Sequence, residues 1–131
     1  SRLTALSAAA TPMTQADWTA AQADAAASAY NALAVTLKDS AGHIYFAASS
    51  PAAGTVNTAE DTAAALAAVT ESGLYTVARM SCFLDPIAAR ADVEGMGLKN
   101  TGGYIFYDGN NLNWLDPSKP AARQYLISLA R

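Results

Sequence analysis

Two short apolar runs, separated by one helix-like segment, constrain the fold of this chain more than any other feature. Residues 33–37 (LAVTL) and 74–82 (LYTVARMSC) each have the pattern of a buried strand. Residues 58–73 between them have the pattern of a helix, with Thr58 as its cap and Gly73 just past its end. A strand, a helix and a second strand in this order predict a parallel sheet with right-handed crossovers.

The rest of the chain continues this alternation of strands and helices. The sequence predicts, in chain order, a short strand within residues 2–12, a helix over Gln15–Ala29, one or two helical turns after Asp85-Pro86, an irregular hairpin within residues 102–117 and a closing helix. We expect that closing helix to begin at Ser118 or Asp116, with Pro117 or Pro120 in its first turn.

The length limits how much of a larger fold these elements can form. The 131 residues are enough for a single domain, residues 1–131, with its own core. About three strand–helix units are present, whereas a complete eight-stranded barrel needs about 250 residues. The sequence therefore predicts an α/β fold, either a small open sheet or a partial (β/α) TIM-type barrel with hairpin insertions in its loops. The chain also stops after a helix, where another strand would be expected.

Composition excludes several classes of function. Hydrophobic residues make up 52% and charged residues 15% of the chain, which is typical of a globular protein. The net charge of −3, without a basic cluster, argues against a nucleic-acid partner. Cys82 is the only cysteine, so it forms no internal disulfide, and its apolar setting predicts a core thiol. No apolar run reaches the roughly 18 residues of a membrane span, and no motif indicates a metal site or a cofactor.

Polar residues follow the predicted strands at the points where ligands bind in parallel α/β proteins. In such folds the carboxyl ends of the strands and the loops that follow them form the binding edge. The candidates for substrate binding at this edge are Lys38, Asp39, Arg79, Asp85, Trp114 and Asp116.

Strand alternation predicts that two of these residues, Lys38 and Arg79, project from the same face. If that face is the interior of a barrel, both cations lie at its mouth and need anionic partners, because an unpaired buried charge is costly. Asp39, Asp85, Asp116 or a carboxylate beyond this chain could supply them. Arg79 then has two open interpretations, a structural ion pair that holds the loop or a contact to substrate.

The aromatic residues near the end of the chain also have two interpretations. Trp114, Tyr104, Phe106 and Tyr107 could form a platform on which sugars stack, or fill a small loop core, which we favour. Paired carboxylates are typical of glycoside hydrolysis, but no motif assigns one of the aspartates as acid or nucleophile, so the catalytic residues stay unknown. The single histidine, His43, is expected to be a solvated loop residue.

Three stretches of the chain, in their order and spacing, resemble a known family. They are NALAVTLKDSAGHIYFAAS (31–49), ESGLYTVARMSCFLDPIAA (71–89) and NLNWLDPSKPAARQYLISLA (111–130). They resemble the bacterial family described as "putative glycosyl hydrolase domain", whose members are amylase-like barrels. The specific points are the Lys38-Asp39 pair, Arg79 with Asp85, and Trp114 with Asp116-Pro117.

The resemblance implies the N-terminal part of a TIM-type barrel, a carbohydrate substrate and export to the bacterial envelope or exterior. The sequence departs from the family at Thr36, where an acidic residue is expected. The later strands, of which the fourth supplies an acidic residue with a nearby arginine, are also missing. We therefore expect a site that binds or hydrolyses carbohydrate at the C-terminal rim of the strands, inactive as this fragment alone. The alternative is a non-catalytic glycan-binding or assembly domain with a degenerate barrel.

A partial barrel has open strand edges, and open edges pair with other strands. The sequence therefore also predicts self-association of the chain, with strands of two copies sharing one sheet.

Overall fold

The structure is a computed structural model that describes residues 5–7, 15–27, 30–46 and 62–131. Its strands are β1 (Ala5–Ser7), β2 (Ala32–Lys38) and β3 (Tyr75–Met80); its helices are α1 (Gln15–Ala27), α2 (Thr62–Glu71), α3 (Pro86–Ala91) and α4 (Pro120–Ala130). The chain divides into two compact units. The sheet unit comprises residues 1–38, 45–47 and 59–80, and the loop unit comprises residues 39–44, 48–58 and 81–131.

The sheet unit contains an open, three-stranded parallel sheet in the order β1-β2-β3. Ala5 to Ser7 of β1 pair with Ala32 to Ala34 of β2, and β2 pairs along its length with β3. The mixed α/β class and the parallel pairing predicted from the alternation of elements are confirmed.

Strand β2 forms the centre of this sheet, and its first four residues are buried. Leu33 and Val35 pack with Val69 of α2, and all three side chains are at most 1% exposed. Ala21, Leu37 and Leu74 pack against this cluster. The run of large aliphatic residues at alternate positions of β2 therefore supplies the core of the unit, as its pattern predicts.

Strand β3 is more exposed than its apolar sequence predicts. Tyr75, expected in the core, is 61% exposed, and Ala78 and Arg79 are exposed as well. Within the part of the chain that the structure describes, β3 pairs only with β2, so it is an edge strand. One edge of β3 therefore carries main-chain groups outside the sheet ladder.

The helices of the sheet unit agree with their predicted positions. Helix α1 begins at Gln15 as predicted and extends to Ala27, while Ser28 and Ala29 lie outside the described residues. Helix α2 ends at Glu71, and Gly73 follows with a φ of +84°, the left-handed conformation that glycine adopts at helix ends. The predicted cap Thr58 lies outside the described residues.

The loop unit is built from α3, α4 and several short antiparallel contacts. Isolated bridges join Leu84 to Trp114, Gly97 to Leu115 and Lys99 to Ile105. The hairpin predicted within residues 102–117 is therefore only partly correct. Its two arms pair with residues 97–99, which precede the hairpin in the chain, rather than with each other. The tip closes on itself, where Asp108 N donates to Leu112 O at 2.9 Å.

Helix α4 buries an apolar stripe at positions i, i+3, i+4 and i+7, formed by Ala122, Tyr125, Leu126 and Leu129. The helix begins at Pro120 with Lys119 as its N-cap residue, so the predicted starts at Ser118 or Asp116 are wrong. Proline at the first helical position loses no hydrogen bond, because that N–H has no partner within a helix.

Cys82 is exposed, so the prediction of a core thiol is wrong.

Among the described residues, no helix combines the length and apolar character that crossing a bilayer requires.

Candidate functional site

In the sheet unit, two cationic residues lie near the carboxyl ends of neighbouring strands. Lys38 is the last residue of β2 and is fully buried, whereas Arg79, the penultimate residue of β3, is exposed. Arg79 lies opposite Thr36, but a register shift between Thr36 and Lys38 places Lys38 opposite Met80. The end of β2 thus departs from the unbroken alternation that the sequence analysis assumes for Lys38 and Arg79.

Asp39, the first residue of the loop unit, organises the turn that follows β2. Its Oδ1 accepts hydrogen bonds from Ala41 N at 3.0 Å and from His43 N at 2.9 Å. His43 Nδ1 lies 3.4 Å from Asp39 Oδ2, and the His43 side chain is 42% exposed. The carboxylate of Asp39 therefore acts as the acceptor of a tight turn.

Asp85 caps helix α3 and is fully buried. Its Oδ1 accepts a hydrogen bond from Ala88 N at 2.9 Å, the bond that a capping aspartate makes three residues into a helix. Gly42 comes close to this carboxylate, since a Cβ added at Gly42 would lie 2.3 Å from Asp85 Oδ1. The turn after β2 and the start of α3 are therefore in direct contact.

Trp114 is held by a carboxylate that sequence reasoning missed. Its Nε1 donates to Asp108 Oδ2 at 2.8 Å. Asp108 Oδ1 also accepts from Asn110 N at 2.8 Å and from Leu112 N at 2.9 Å. These donors, the Leu112 amide first and the Trp114 indole next, lower the pKa of Asp108 below its ordinary value. The Asp-Gly-Asn-Asn sequence signals a turn there, but not the bond to Trp114.

Asp116 stabilises the turn before α4. Its Oδ1 accepts from Ser118 Oγ at 2.7 Å and from Ser118 N at 2.9 Å. These two hydrogen bonds, the hydroxyl first, lower the pKa of Asp116. Lys119 is bound nearby to main-chain oxygens, with its Nζ donating to Gly97 O at 2.7 Å and to Val93 O at 3.1 Å.

A second group of side chains in the loop unit also went unrecognised in the sequence. Arg90 Nε donates to Asn113 Oδ1 at 2.5 Å, and Asn113 Nδ2 donates to Phe106 O at 2.8 Å. The guanidinium carbon of Arg90 lies 6.0 Å from the centroid of the Tyr107 ring. Arg90 and Asn113 are 23 residues apart, so no local pattern could have revealed their contact.

The four aromatic residues considered for a sugar platform or a loop core, Tyr104, Phe106, Tyr107 and Trp114, are not all buried. Tyr104 is 75% exposed and Tyr107 is 48% exposed, while Phe106 and Trp114 are half-buried. The favoured prediction of a loop core is therefore wrong for the two tyrosines.

Chemically, the three candidate aspartates share one property. Asp39, Asp85 and Asp116 each accept a hydrogen bond from a main-chain N–H two to four residues further along. Each carboxylate therefore stabilises the turn or helix start in which it lies, and at Asp116 these hydrogen bonds also lower the pKa, which disfavours a role as proton donor. Within the described ranges, no group of three or more His, Cys, Asp and Glu side chains is placed to hold a metal ion.

These features define the class of the protein as an α/β protein with a parallel sheet and polar residues at its strand ends. The chain belongs to the family described as "putative glycosyl hydrolase domain", whose model matches residues 6–131. The structure is similar to the crystal structure of a hypothetical protein from Ruminiclostridium thermocellum, with a TM-score of 0.82 and 24% sequence identity. That similarity covers 98% of this chain and 68% of the other. No curated protein matches the chain.

Proposed function

We propose that residues 1–131 form part of a glycoside-hydrolase-like domain that binds carbohydrate at the carboxyl ends of its parallel strands. The observation that carries this proposal is membership of the glycosyl hydrolase domain family over residues 6–131. The consecutive order β1-β2-β3 of parallel strands is the order of a (β/α) barrel, so we also propose that the sheet belongs to a TIM-type barrel.

The strand ends supply groups suited to sugar hydroxyls. Arg79 is exposed near the end of β3, and a guanidinium can donate several hydrogen bonds to one ring. Lys38 is fully buried at the end of β2, where a lysine is rarely found unless its ammonium group is paired, and we include it in the proposed site for its position at the strand end. Asp39, Asp85, Asp116 and Trp114 are the further residues that we propose for substrate binding.

We propose binding without hydrolysis for the 131-residue chain itself. A glycosidase needs a carboxyl group that holds a proton near neutral pH, which requires a raised pKa. The pKa of Asp116 is lowered instead. The same observation favours the second candidate function, a non-catalytic glycan-binding or assembly domain.

The test combines binding and turnover on the same polysaccharides. Affinity electrophoresis through gels containing neutral glucans, xylan or mannan measures binding, and release of reducing ends measures hydrolysis. We expect retardation by at least one polymer without release of reducing ends. Arg79→Gln should weaken that binding about tenfold, since one lost charge-assisted bond corresponds to about that factor. Arg123→Gln, which removes an exposed cation from α4, is the matched control.

The outcomes separate the candidates. Turnover by the 131-residue chain would refute binding without hydrolysis and support a hydrolase. Absence of retardation by every neutral and acidic polymer tried would refute carbohydrate binding altogether. Equal effects of Arg79→Gln and Arg123→Gln would remove Arg79 from the site.

Export to the bacterial envelope or exterior is a further part of this proposal, and it rests on the family resemblance alone. Cell fractionation of the native host with an antibody to the protein tests it, and detection only in the cytoplasm would refute it.

A further inference from the structure

The side chain of Arg90 is fixed in place by two contacts on the surface of the loop unit. Arg90 belongs to the last turn of α3 and is exposed. Its Nε donates to Asn113 Oδ1 at 2.5 Å, and its guanidinium lies over the Tyr107 ring, 6.0 Å from the centroid. A long surface side chain ordinarily loses conformational entropy when it binds a ligand. For Arg90, folding has already restricted much of that freedom.

The residue that fixes Arg90 is itself fixed. Asn113 is fully buried, and its Nδ2 donates to Phe106 O at 2.8 Å. Because the amide nitrogen is bound to a carbonyl, the amide oxygen must be the atom that faces Arg90. Because Asn113 is buried and both its amide oxygen and its amide nitrogen are hydrogen-bonded, it restricts the position of the Arg90 side chain.

The free end of this arginine is suited to a carboxylate. Within the described part of the chain, neither Nη atom of Arg90 has a hydrogen-bond partner, so the pair of Nη groups is available at the surface. Two parallel N–H groups of a guanidinium match the two oxygens of a carboxylate. Tyr107 beside it is 48% exposed and offers aromatic surface to an apolar sugar face.

We propose that Arg90 and Tyr107 form a binding subsite for an acidic sugar, a hexuronate residue within a polysaccharide. Arg90 binds the carboxylate through its Nη groups, and Tyr107 contacts the sugar ring. This inference rests on the proposed carbohydrate-binding function and specifies the class of one of its ligands.

The charges around the subsite permit this ligand. Asp108 follows Tyr107, but both oxygens of its carboxylate accept hydrogen bonds from the protein, and Glu94 is paired with Lys99. The net charge of −3 opposes an anionic ligand at long range. That repulsion is screened beyond about 8 Å at physiological ionic strength, whereas the contact with Arg90 is direct.

The experiment compares two polymers that differ only in charge. Native gels contain polygalacturonate, its methyl-esterified form or a neutral glucan, and dissociation constants follow from the retardation of the 131-residue chain. We expect polygalacturonate to bind at least about tenfold more tightly than its methyl ester, the effect of about one charge-assisted bond. Arg90→Gln should remove this preference, and Arg90→Lys should restore only part of it because ammonium cannot bind in a bidentate manner.

The matched control for Arg90→Gln is Arg123→Gln, which leaves the preference unchanged while altering the net charge equally. Circular dichroism checks that each variant is folded. If Arg90→Gln does not fold, Tyr107→Ala serves in its place, because it tests the ring contact of the same subsite and leaves the hydrogen bond between Arg90 and Asn113 intact. We expect Tyr107→Ala to weaken polygalacturonate binding and Tyr107→Phe to retain it.

Several results would overturn the inference. They are absence of binding to polygalacturonate, equal binding of its methyl ester, an unchanged preference in folded Arg90→Gln, or unchanged binding of polygalacturonate by folded Tyr107→Ala. Binding to the neutral glucan together with any of these would leave the proposed function standing and refute only the acidic subsite. Absence of binding to every polymer would refute both.

Discussion

Replacing Gly42 with alanine tests the contact between the turn after β2 and the cap of α3. Gly42 has a φ of +89°, and its added Cβ would lie 2.3 Å from Asp85 Oδ1 and 3.1 Å from Ile87 Cβ. Two separate costs follow. The left-handed backbone conformation costs a non-glycine residue about 1–2 kcal/mol. The overlap must displace the Asp85 carboxylate, which accepts the capping bond from Ala88 N.

A second glycine of the same unit separates these two costs. Gly103 has a φ of +83°, and a Cβ added there meets nothing within 4 Å. Gly103→Ala should therefore lower the free energy of unfolding by the backbone cost alone. Gly42→Ala should lower it by about 2–4 kcal/mol more, which combines overpacking with partial loss of the helix cap.

Urea unfolding followed by far-UV circular dichroism measures both free energies, with the slope as a check that the extent of unfolding is unchanged. A double-mutant cycle then locates the clash. In an Asp85→Ser background the shorter side chain still caps the helix, so the excess cost of Gly42→Ala over Gly103→Ala should fall to the smaller part that the contact with Ile87 Cβ causes. The reasoning is refuted if Gly42→Ala costs no more than Gly103→Ala in the natural background, or if its excess cost is undiminished with Asp85→Ser.

Four further results are expected. In urea unfolding, Asn113→Leu should lower the free energy of unfolding by about 2–4 kcal/mol, because it removes two hydrogen bonds of a buried amide. The control Asn110→Ala, at an exposed position, should change that free energy by less than about 0.5 kcal/mol. Because folding lowers the pKa of Asp108, its stabilising effect is present above the unfolded-state pKa of about 3.9 and is lost as the pH falls through the folded-state pKa. Asp108→Asn should therefore reduce the decrease in unfolding temperature that acid pH causes. The same decrease in the variant and the natural chain would contradict this. Lys119→Met should cost about 1–2 kcal/mol in urea unfolding, since two main-chain oxygens lose their donor. The chain should self-associate through the edge of β3, so its mass in light scattering should rise with protein concentration. Ala78→Pro should lower that mass, because proline cannot donate a main-chain hydrogen bond to a neighbouring strand. A monomer at all concentrations would contradict this.

The elements that sequence reasoning predicted well are those with local causes. Leu33 and Val35 alternate within a run flanked by turn residues, and that pattern defines β2 whatever surrounds it. Gly73 ends α2 because the left-handed conformation favours glycine. The start of α4 was misjudged because two proline signals compete there. The side chain of Asp116 stabilises its own turn at Ser118, and the helix begins only at Pro120.

The exposure of β3 could not be read from its sequence for a different reason. The side chains of an apolar strand are buried only where other elements cover the faces of the sheet, and that cover depends on the whole fold rather than on the strand. Tyr75 therefore has a core-like sequence context and a 61% exposed side chain. The register shift near Lys38 is equally non-local, and such a shift changes which residues of two strands lie opposite one another.

The sequence predicts the candidate site as a set of polar residues, and the structure shows that three of them accept main-chain hydrogen bonds. Asp39, Asp85 and Asp116 each accept from an N–H two to four residues further along, in a turn or at a helix cap. Aspartate is typical of such positions, so these roles could have been predicted from the sequence. At Asp116 the hydrogen bonds from Ser118 lower the pKa and so oppose the protonated state that a general acid requires. A glycosidic general acid therefore has to be a carboxyl group other than Asp116, in a setting that raises its pKa.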